Sequence, residues 1–286
     1  MVTQSTDLVE LPSDHLPRTP AEFISQATAV EQARAVAEVQ AAVLVAQQVP
    51  RDITRAVNDM RQSCSQIGLA DRAFYRYPRG GQTVTGESIH LARELARCWG
   101  NCDYGIKELR RDDENHYSEM QAWAWDQQTN TRSSQTFIVP HKRDTKKGAQ
   151  VLSDLRDVYE NNANMGARRL REAIFSILPK WYTEDAKTAS MAALETGGGD
   201  KPLEQRVADA VRTFDGLGVK RARLEARFGP TSKWSAHDLA QLRVIHGSVK
   251  QGTVTVEDEF PSRTTADDIP TPDDSQPQPQ LDGTTT

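Results

Sequence analysis

The chain is short of the features that usually announce a catalytic or a membrane protein. Its 286 residues include three cysteines, Cys64, Cys98 and Cys102. An odd set of this size excludes a disulfide scaffold and fits a reducing compartment. Aromatic residues make up 6% and apolar residues 37% of the chain, so part of the length is expected to stay outside any core. No apolar run approaches the roughly 18–20 residues that span a bilayer, and the N-terminus lacks the basic-then-apolar pattern of a secretory leader. A soluble, cytoplasmic protein with no membrane partner is expected. There is no Gly-x-x-x-x-Gly-Lys-Ser/Thr phosphate loop, and Gly197-Gly198-Gly199-Asp200-Lys201 reads as a linker. Cys98 and Cys102 are not spaced like a zinc knuckle, and His90, His116 and His141 complete no recognisable site. No metal, no cofactor and no enzymatic activity are therefore expected. A nuclease of the Asp…Asp-x-Lys type would have to use Asp126, Asp144 and Lys146, and the second half of that motif lies in a polar basic loop rather than on a strand.

The net charge of −5 is unevenly spread. Residues 51–180 hold 21 Lys and Arg against 17 Asp and Glu, a net +4, whereas residues 253–286 hold one Arg against eight acids, a net −7. The acidity sits largely at the end of the chain, and the middle is basic.

Turn and helix signals divide the chain into a flexible N-terminal arm (1–27), an α+β core (28–196), a small helical module (203–252) and an acidic disordered tail (253–286). Helices are expected over Thr28–Val49, Asp52–Ile67 and Glu87–Cys98. Alternating patterns then predict three strands, Asp103–Arg110, Tyr117–Asp126 and Thr131–Pro140, joined by short polar turns at Asp112–Asn115 and Gln127–Asn130. His141–Gln150 reads as a basic loop, and a long helix is expected from Ser153 to Leu178. The fold class is α+β: a three-stranded antiparallel sheet followed by a long helix, with helices before it. Leu203–Leu217, Arg221–Phe228 and Ala236–Val249 would form a small satellite bundle.

At 100° per residue, Leu155, Tyr159, Ala163, Gly166, Leu170, Ile174 and Ile177 form the stripe of the long helix expected to face the sheet. The small Gly166 and Ala167 would let the helix lie close to it. Asn161, Asn164, Arg168 and Arg171 cluster on the opposite side, with Arg169 on a flank. The loop before the helix adds Lys142, Arg143, Lys146 and Lys147. Seven cations adjoining in this way suit a groove for a polyanion, because phosphate contacts dominate nucleic-acid affinity. The plainer alternative has these arginines solvating an exposed face or pairing with Asp157, Glu160 and Glu172. A third contact is offered by the glycine-bearing turn Arg76–Gln82: Arg76 and Arg79 would meet phosphates, and Tyr75 or Tyr77 would stack on a base. A simple tight turn would look the same. Tyr117, Trp123 and Trp125 share one face of the middle strand, and Met120, Ala122 and Ala124 share the other. The aromatic face is expected to be core, with a stacking platform as its alternative.

Four stretches carry a family resemblance: Tyr-Pro-Arg-Gly-Gly (77–81) with Thr-Gly-Glu-Ser-Ile (85–89), Ala-Trp-Asp-Gln-Gln-Thr-Asn-Thr-Arg (124–132), Asn-Met-Gly-Ala-Arg-Arg-Leu-Arg (164–171) and Leu-Arg-Val-Ile-His-Gly-Ser-Val-Lys-Gln-Gly (242–252). Over roughly Ala35 to Asp258 the chain resembles the phage single-strand annealing proteins, the RecT, Red-beta and Erf-like recombination group. The resemblance implies an ATP-independent annealase that binds single-stranded DNA and assembles into rings or filaments. It also implies a phage exonuclease and a host single-strand-binding protein as partners. The expectation from another class is a non-annealing replication accessory or a protein that binds a host protein.

Overall fold

The computed structural model describes residues 26–80, 82–145, 148–197 and 199–261. The chain divides into two units at Pro50–Arg51, so the expected core of 28–196 loses its first helix. That helix, α1 (Gln26–Gln48), stands in the first unit. It is rich in Ala and Gln, which favour a helix, and no Gly or Pro interrupts it; Arg34 pairs with Glu38 one turn on at 2.8 Å.

The second unit opens with α2 (Ile53–Cys64), capped by the Asp52 carboxylate, which accepts from Arg55 N at 3.0 Å. The single helix expected over 52–67 is broken, because Gln66 adopts an extended conformation and caps a separate α3 (Ile67–Ala73). Then come an antiparallel hairpin of β1 (Phe74–Arg79) and β2 (Gln82–Glu87) and helix α4 (Ile89–Trp99). Strands β3 (Cys102–Asp112), β4 (Tyr117–Asp126) and β5 (Thr131–Pro140) form an antiparallel sheet in sequence order. The expected basic loop is instead a second hairpin, β6 (Lys142–Thr145) with β7 (Gly148–Val151). Its strands are only four residues long, too short for alternation to register. Helices α5 (Leu155–Ile177) and α6 (Lys180–Thr196) follow.

Helix α5 packs on the inner face of the sheet, where Met120, Ala122 and Ala124 of β4 are buried. The small residues set the distance. A Cβ at Gly166 would lie 2.9 Å from Ile106 Cδ1, so the close approach expected of Gly166 is present. This reverses the expectation for the aromatic face: Trp123 and Trp125 are half-exposed on the outer side, since a large ring beneath α5 would hold the helix off. The expected stripe of α5 also fails over its first two turns. Leu155 and Tyr159 are 68% and 69% exposed, while Val158 and Asn162 point inward. At that end the inner face is polar, and Asn162 goes in because it donates to Ser118 Oγ at 2.9 Å.

The C-terminal helices α7 (Leu203–Asp215), α8 (Arg221–Phe228), α9 (Ala236–Lys250) and α10 (Val256–Glu259) surround Phe214, Trp234 and Phe260. They are not a detached satellite. Helix α9 gives Leu239, Leu242 and Ile245 to this cluster and Ala240 and Val244 to the main core. The module also extends past the expected boundary at 252. Val254, Glu259 and Phe260 are buried, and α10 carries a Thr255/Asp258 capping box. The expected tail is thus folded from 253 to 261, and its remainder, 262–286, lies outside the described residues, as does the expected arm apart from residues 26 and 27.

One buried ion pair ties the second unit together. Arg51 donates to Asp126 Oδ1 at 2.9 Å, and their side chains are 3% and 2% exposed. Arg51 also donates to the carbonyls of Trp99 (2.6 Å) and Gly100 (2.9 Å). Burial works to raise the Asp126 carboxyl, but Arg51, the Thr129 N–H and the Trp99 indole hold it below the usual carboxylate range. Asp126 Oδ1 accepts from Arg51 and from the Gln128 and Thr129 N–H groups, and Oδ2 accepts from the Trp99 indole at 3.3 Å.

Two outcomes are expected in urea unfolding. Arg51→Ala strands a buried carboxylate and should cost about 3–5 kcal/mol, whereas Arg61→Ala, at the largely exposed pair with Asp185, should cost under about 1 kcal/mol. A chain ending at Thr253 loses the buried Phe260 and Glu259. It should unfold at clearly lower urea than one ending at Pro261, by at least the roughly 3 kcal/mol of a buried Phe truncation.

Candidate nucleic-acid interface

The outward side of α5 carries Asn161, Asn164, Arg168 and Arg171 at i, i+3, i+7 and i+10, one line down the helix. Its two ends are fixed by different hairpins. Asn161 donates Nδ2–H to the Pro140 carbonyl at 3.0 Å, beside the start of β6. Ten residues on, Arg171 donates to the Tyr75 hydroxyl, and its guanidinium lies 4.9 Å from the Tyr75 ring centroid. At 1.5 Å per residue the line is about 15 Å long, the span of about four stacked nucleotides at 3.4 Å.

Tyr75 and Tyr77 project from the same face of β1 and stack with centroids 5.5 Å apart and planes 28° from parallel. Gly86, opposite Tyr75 in β2, makes room for them: a Cβ there would sit 3.1 Å from Tyr77 and 3.2 Å from Tyr75. Arg79 is exposed near the tip of this hairpin. At the other end of the line, Lys142 and Arg143 are exposed on β6, while Lys146 and Lys147 lie outside the described residues. Arg168 and Asn164 are exposed, and Arg168 has no ion-pair partner among the described residues. Arg169 pairs with Glu172 at 3.3 Å. Of the three acids weighed as partners for these arginines, Glu172 alone takes that part among the described residues.

Arg76 does not belong to this surface. Alternation turns it to the opposite face of β1, where it binds the buried Glu259 carboxylate and donates to Thr85 Oγ1 at 2.9 Å and the Thr83 carbonyl at 3.1 Å. Its own N–H donates to Ser248 Oγ at 2.9 Å. The phosphate contact expected of Arg76 is thus replaced by a structural one, because an acid 183 residues away claims it.

Behind the start of β6 lies a buried polar knot that sequence patterns missed. Ser118 Oγ donates to Glu108 Oε1 and accepts from Asn162 Nδ2 at 2.9 Å. With that hydrogen spent, the 2.8 Å contact to His141 Nε2 requires the imidazole to donate, which fixes the Nε2–H tautomer. Ser118 is 0% and His141 2% exposed, so neither can reach a reactant. The knot instead anchors the β6–β7 hairpin, whose base is closed by Leu152 N donating to the His141 carbonyl at 2.9 Å.

Burial pushes the Cys98 thiol up to about 11 and the Cys102 thiol up to about 12, which favours the protonated form of both at neutral pH. Among the described residues, no group of three or more His, Cys, Asp and Glu side chains could hold a metal ion, and no helix is long and apolar enough to cross a membrane. Comparison with models of protein families, with curated proteins and with solved structures finds no match.

Burial, then the nearby Arg111, lowers the His141 pKa below its ordinary 6.5, against the opposing pull of Asp113 and Glu108. The unfolded chain therefore takes up the proton first. Stability is full above about 6.5 and is lost as pH falls from there toward the folded value. The melting temperature should drop between pH 7 and 5.5, well above the range where Asp126 titrates. In His141→Gln the drop should be smaller, the remainder belonging to His90 and His246, whose pKa values burial also lowers.

Proposed function

We propose that the protein binds single-stranded DNA along the outward line of α5 and promotes annealing of complementary strands without ATP. The observation that carries this reading is the line of Asn161, Asn164, Arg168 and Arg171 down α5, which runs from the Pro140 carbonyl, two residues before Lys142, to Arg171 held against the Tyr75 ring of the Tyr75–Tyr77 stack. Phosphates would lie along the cations, and a base would stack on the tyrosine pair. Such a grip holds the backbone and leaves base edges free to pair, so the annealing energy comes from the DNA itself. The resemblance to phage single-strand annealing proteins extends the proposal to recombination, to a ring or filament of many copies in the host cytoplasm, and to work beside a phage exonuclease and a host single-strand-binding protein.

The test is direct. With about four phosphates neutralised, log K should fall against log salt with a slope of about −3. The double variant Arg143→Ala, Arg168→Ala should bind about tenfold more weakly with a shallower slope. Its stability should stay within about 0.5 kcal/mol of the parent, because both positions are exposed. Complementary oligonucleotides mixed with the parent protein should form duplex faster than alone. Binding without acceleration would point to an accessory protein, and affinity that ignores salt would remove the phosphate line.

A further inference from the structure

The outer face of the sheet carries a second set of aromatic and cationic groups, which the line on α5 does not use. β4 is the central strand, and on its outer face stand Trp123 and Trp125, about 6.8 Å apart along the strand. The Trp123 ring lies close over Gly105 of β3: a Cβ at Gly105 would be 2.5 Å from Trp123 Cη2 and Cζ2. Its indole N–H donates to Asp103 at 2.7 Å, and that of Trp125 donates to Asn130 Oδ1 at 3.1 Å. Each indole is thus tied by its N–H to a neighbouring side chain, and both rings are only half-buried.

On the flanking strands, Lys107 Nζ lies 5.7 Å from the Trp123 ring centroid and the Arg132 guanidinium 5.9 Å from that of Trp125. Both contacts are at the far limit of a cation–π interaction, and neither cation has a carboxylate partner among the described residues. Each is held loosely enough to swing to a phosphate. Beside the rings, Gln121 and Ser134 are hydrogen-bonded to each other at 3.0 Å, and farther along the same face stand Glu119 and the exposed Ile138.

We propose that this face is a second binding surface for single-stranded nucleic acid, on which consecutive bases stack on Trp123 and Trp125 while Lys107 and Arg132 meet the backbone. It rests on the single-strand binding proposed above, and deepens it. Two rings held side by side, with Lys107 and Arg132 beside them and the Asp103 carboxylate spent on the Trp123 indole, complement a flexible polyanion bearing flat bases. Helix α5 covers the opposite face of the sheet, so the two surfaces lie on different sides of it. One protein would then hold a segment of strand on each side.

Stacking needs bases and phosphate contact does not, which gives the experiment its two arms. Fluorescence anisotropy of the full chain is measured with a mixed-sequence 12-mer and with an abasic 12-mer of the same charge. The parent protein should prefer the base-bearing strand, and Trp123→Ala should cut that preference by about fivefold or more, the loss of about one stacked base. Its affinity for the abasic strand should be unchanged, and Trp123→Phe should restore most of the preference. Arg132→Glu, at an exposed position, is the second variant should Trp123→Ala fail to fold, and it should weaken binding of both strands. An undiminished preference in folded Trp123→Ala overturns the platform while leaving the α5 line standing. Loss of self-association in Trp123→Ala with unaltered strand affinity assigns the face to a second copy of the chain and overturns the platform as well. Failure of the parent to bind either strand removes both surfaces together.

Discussion

The second unit depends on the Arg51–Asp126 pair more than on any other contact. Four pieces of backbone meet there: the residue before α2, the end of α4, the end of β4 and the turn into β5. Arg51 reaches all of them, since its guanidinium also lies 4.2 Å from the Trp99 ring centroid and its N–H donates to Gln128 Oε1 at 2.7 Å. A buried ion pair gains little net stability over a well-packed apolar substitute. Its contribution here is direction, because a guanidinium with five fixed donors accepts only one arrangement of the carbonyls and carboxylate around it. The sheet is thereby set in one orientation against α4, and α5 is laid over it.

With the sheet so placed, the thickness of the layer beneath α5 decides what the helix can present. Ala122, Ala124 and Gly166 make that layer thin, and the helix seats deeply enough for Asn162 to enter the polar knot at Ser118. Once Asn162 is inside, its neighbour Asn161 and the residues three, seven and ten positions on must point out. The outward line of cations is thus a consequence of small side chains and one buried amide on the far side of the helix. Charge placed it in the right segment, and packing turned it to the right face.

Much of this was legible in the sequence. β4 and β5 begin and end where alternation puts them, and α5 keeps its expected length to within two residues at either end, because strong periodicity and Asp154 and Pro179 mark its bounds. The clustering of Asn161, Asn164, Arg168 and Arg171 followed from helical geometry alone. What escaped depended on distant partners. Alternation puts Arg79 with Tyr75 and Tyr77 and Arg76 on the other face of β1, but only Glu259, 183 residues after Arg76, shows which face is covered. The aromatic and alanine faces of β4 are both plausible interiors until the helix's own small residues choose between them. The β6–β7 hairpin is too short to carry a pattern, and nothing local to Asn162 points to Ser118, 44 residues upstream.

The Arg76–Glu259 contact has a consequence in time as well as in space. The Arg51–Asp126 pair spans 75 residues, so the sheet and its supporting helices can assemble while the ribosome is still making the rest. The hairpin that displays Tyr75 and Tyr77 is different. Its far face is completed by Ser248 on α9 and by a carboxylate near the end of the described chain, 183 residues after Arg76. At typical synthesis rates of about 5–20 residues per second, that partner emerges many seconds after the tyrosines do. A nascent or prematurely terminated chain therefore carries the basic helix but not a braced aromatic hairpin. The hairpin that bears the tyrosines is finished last, by residues from near the end of the described chain.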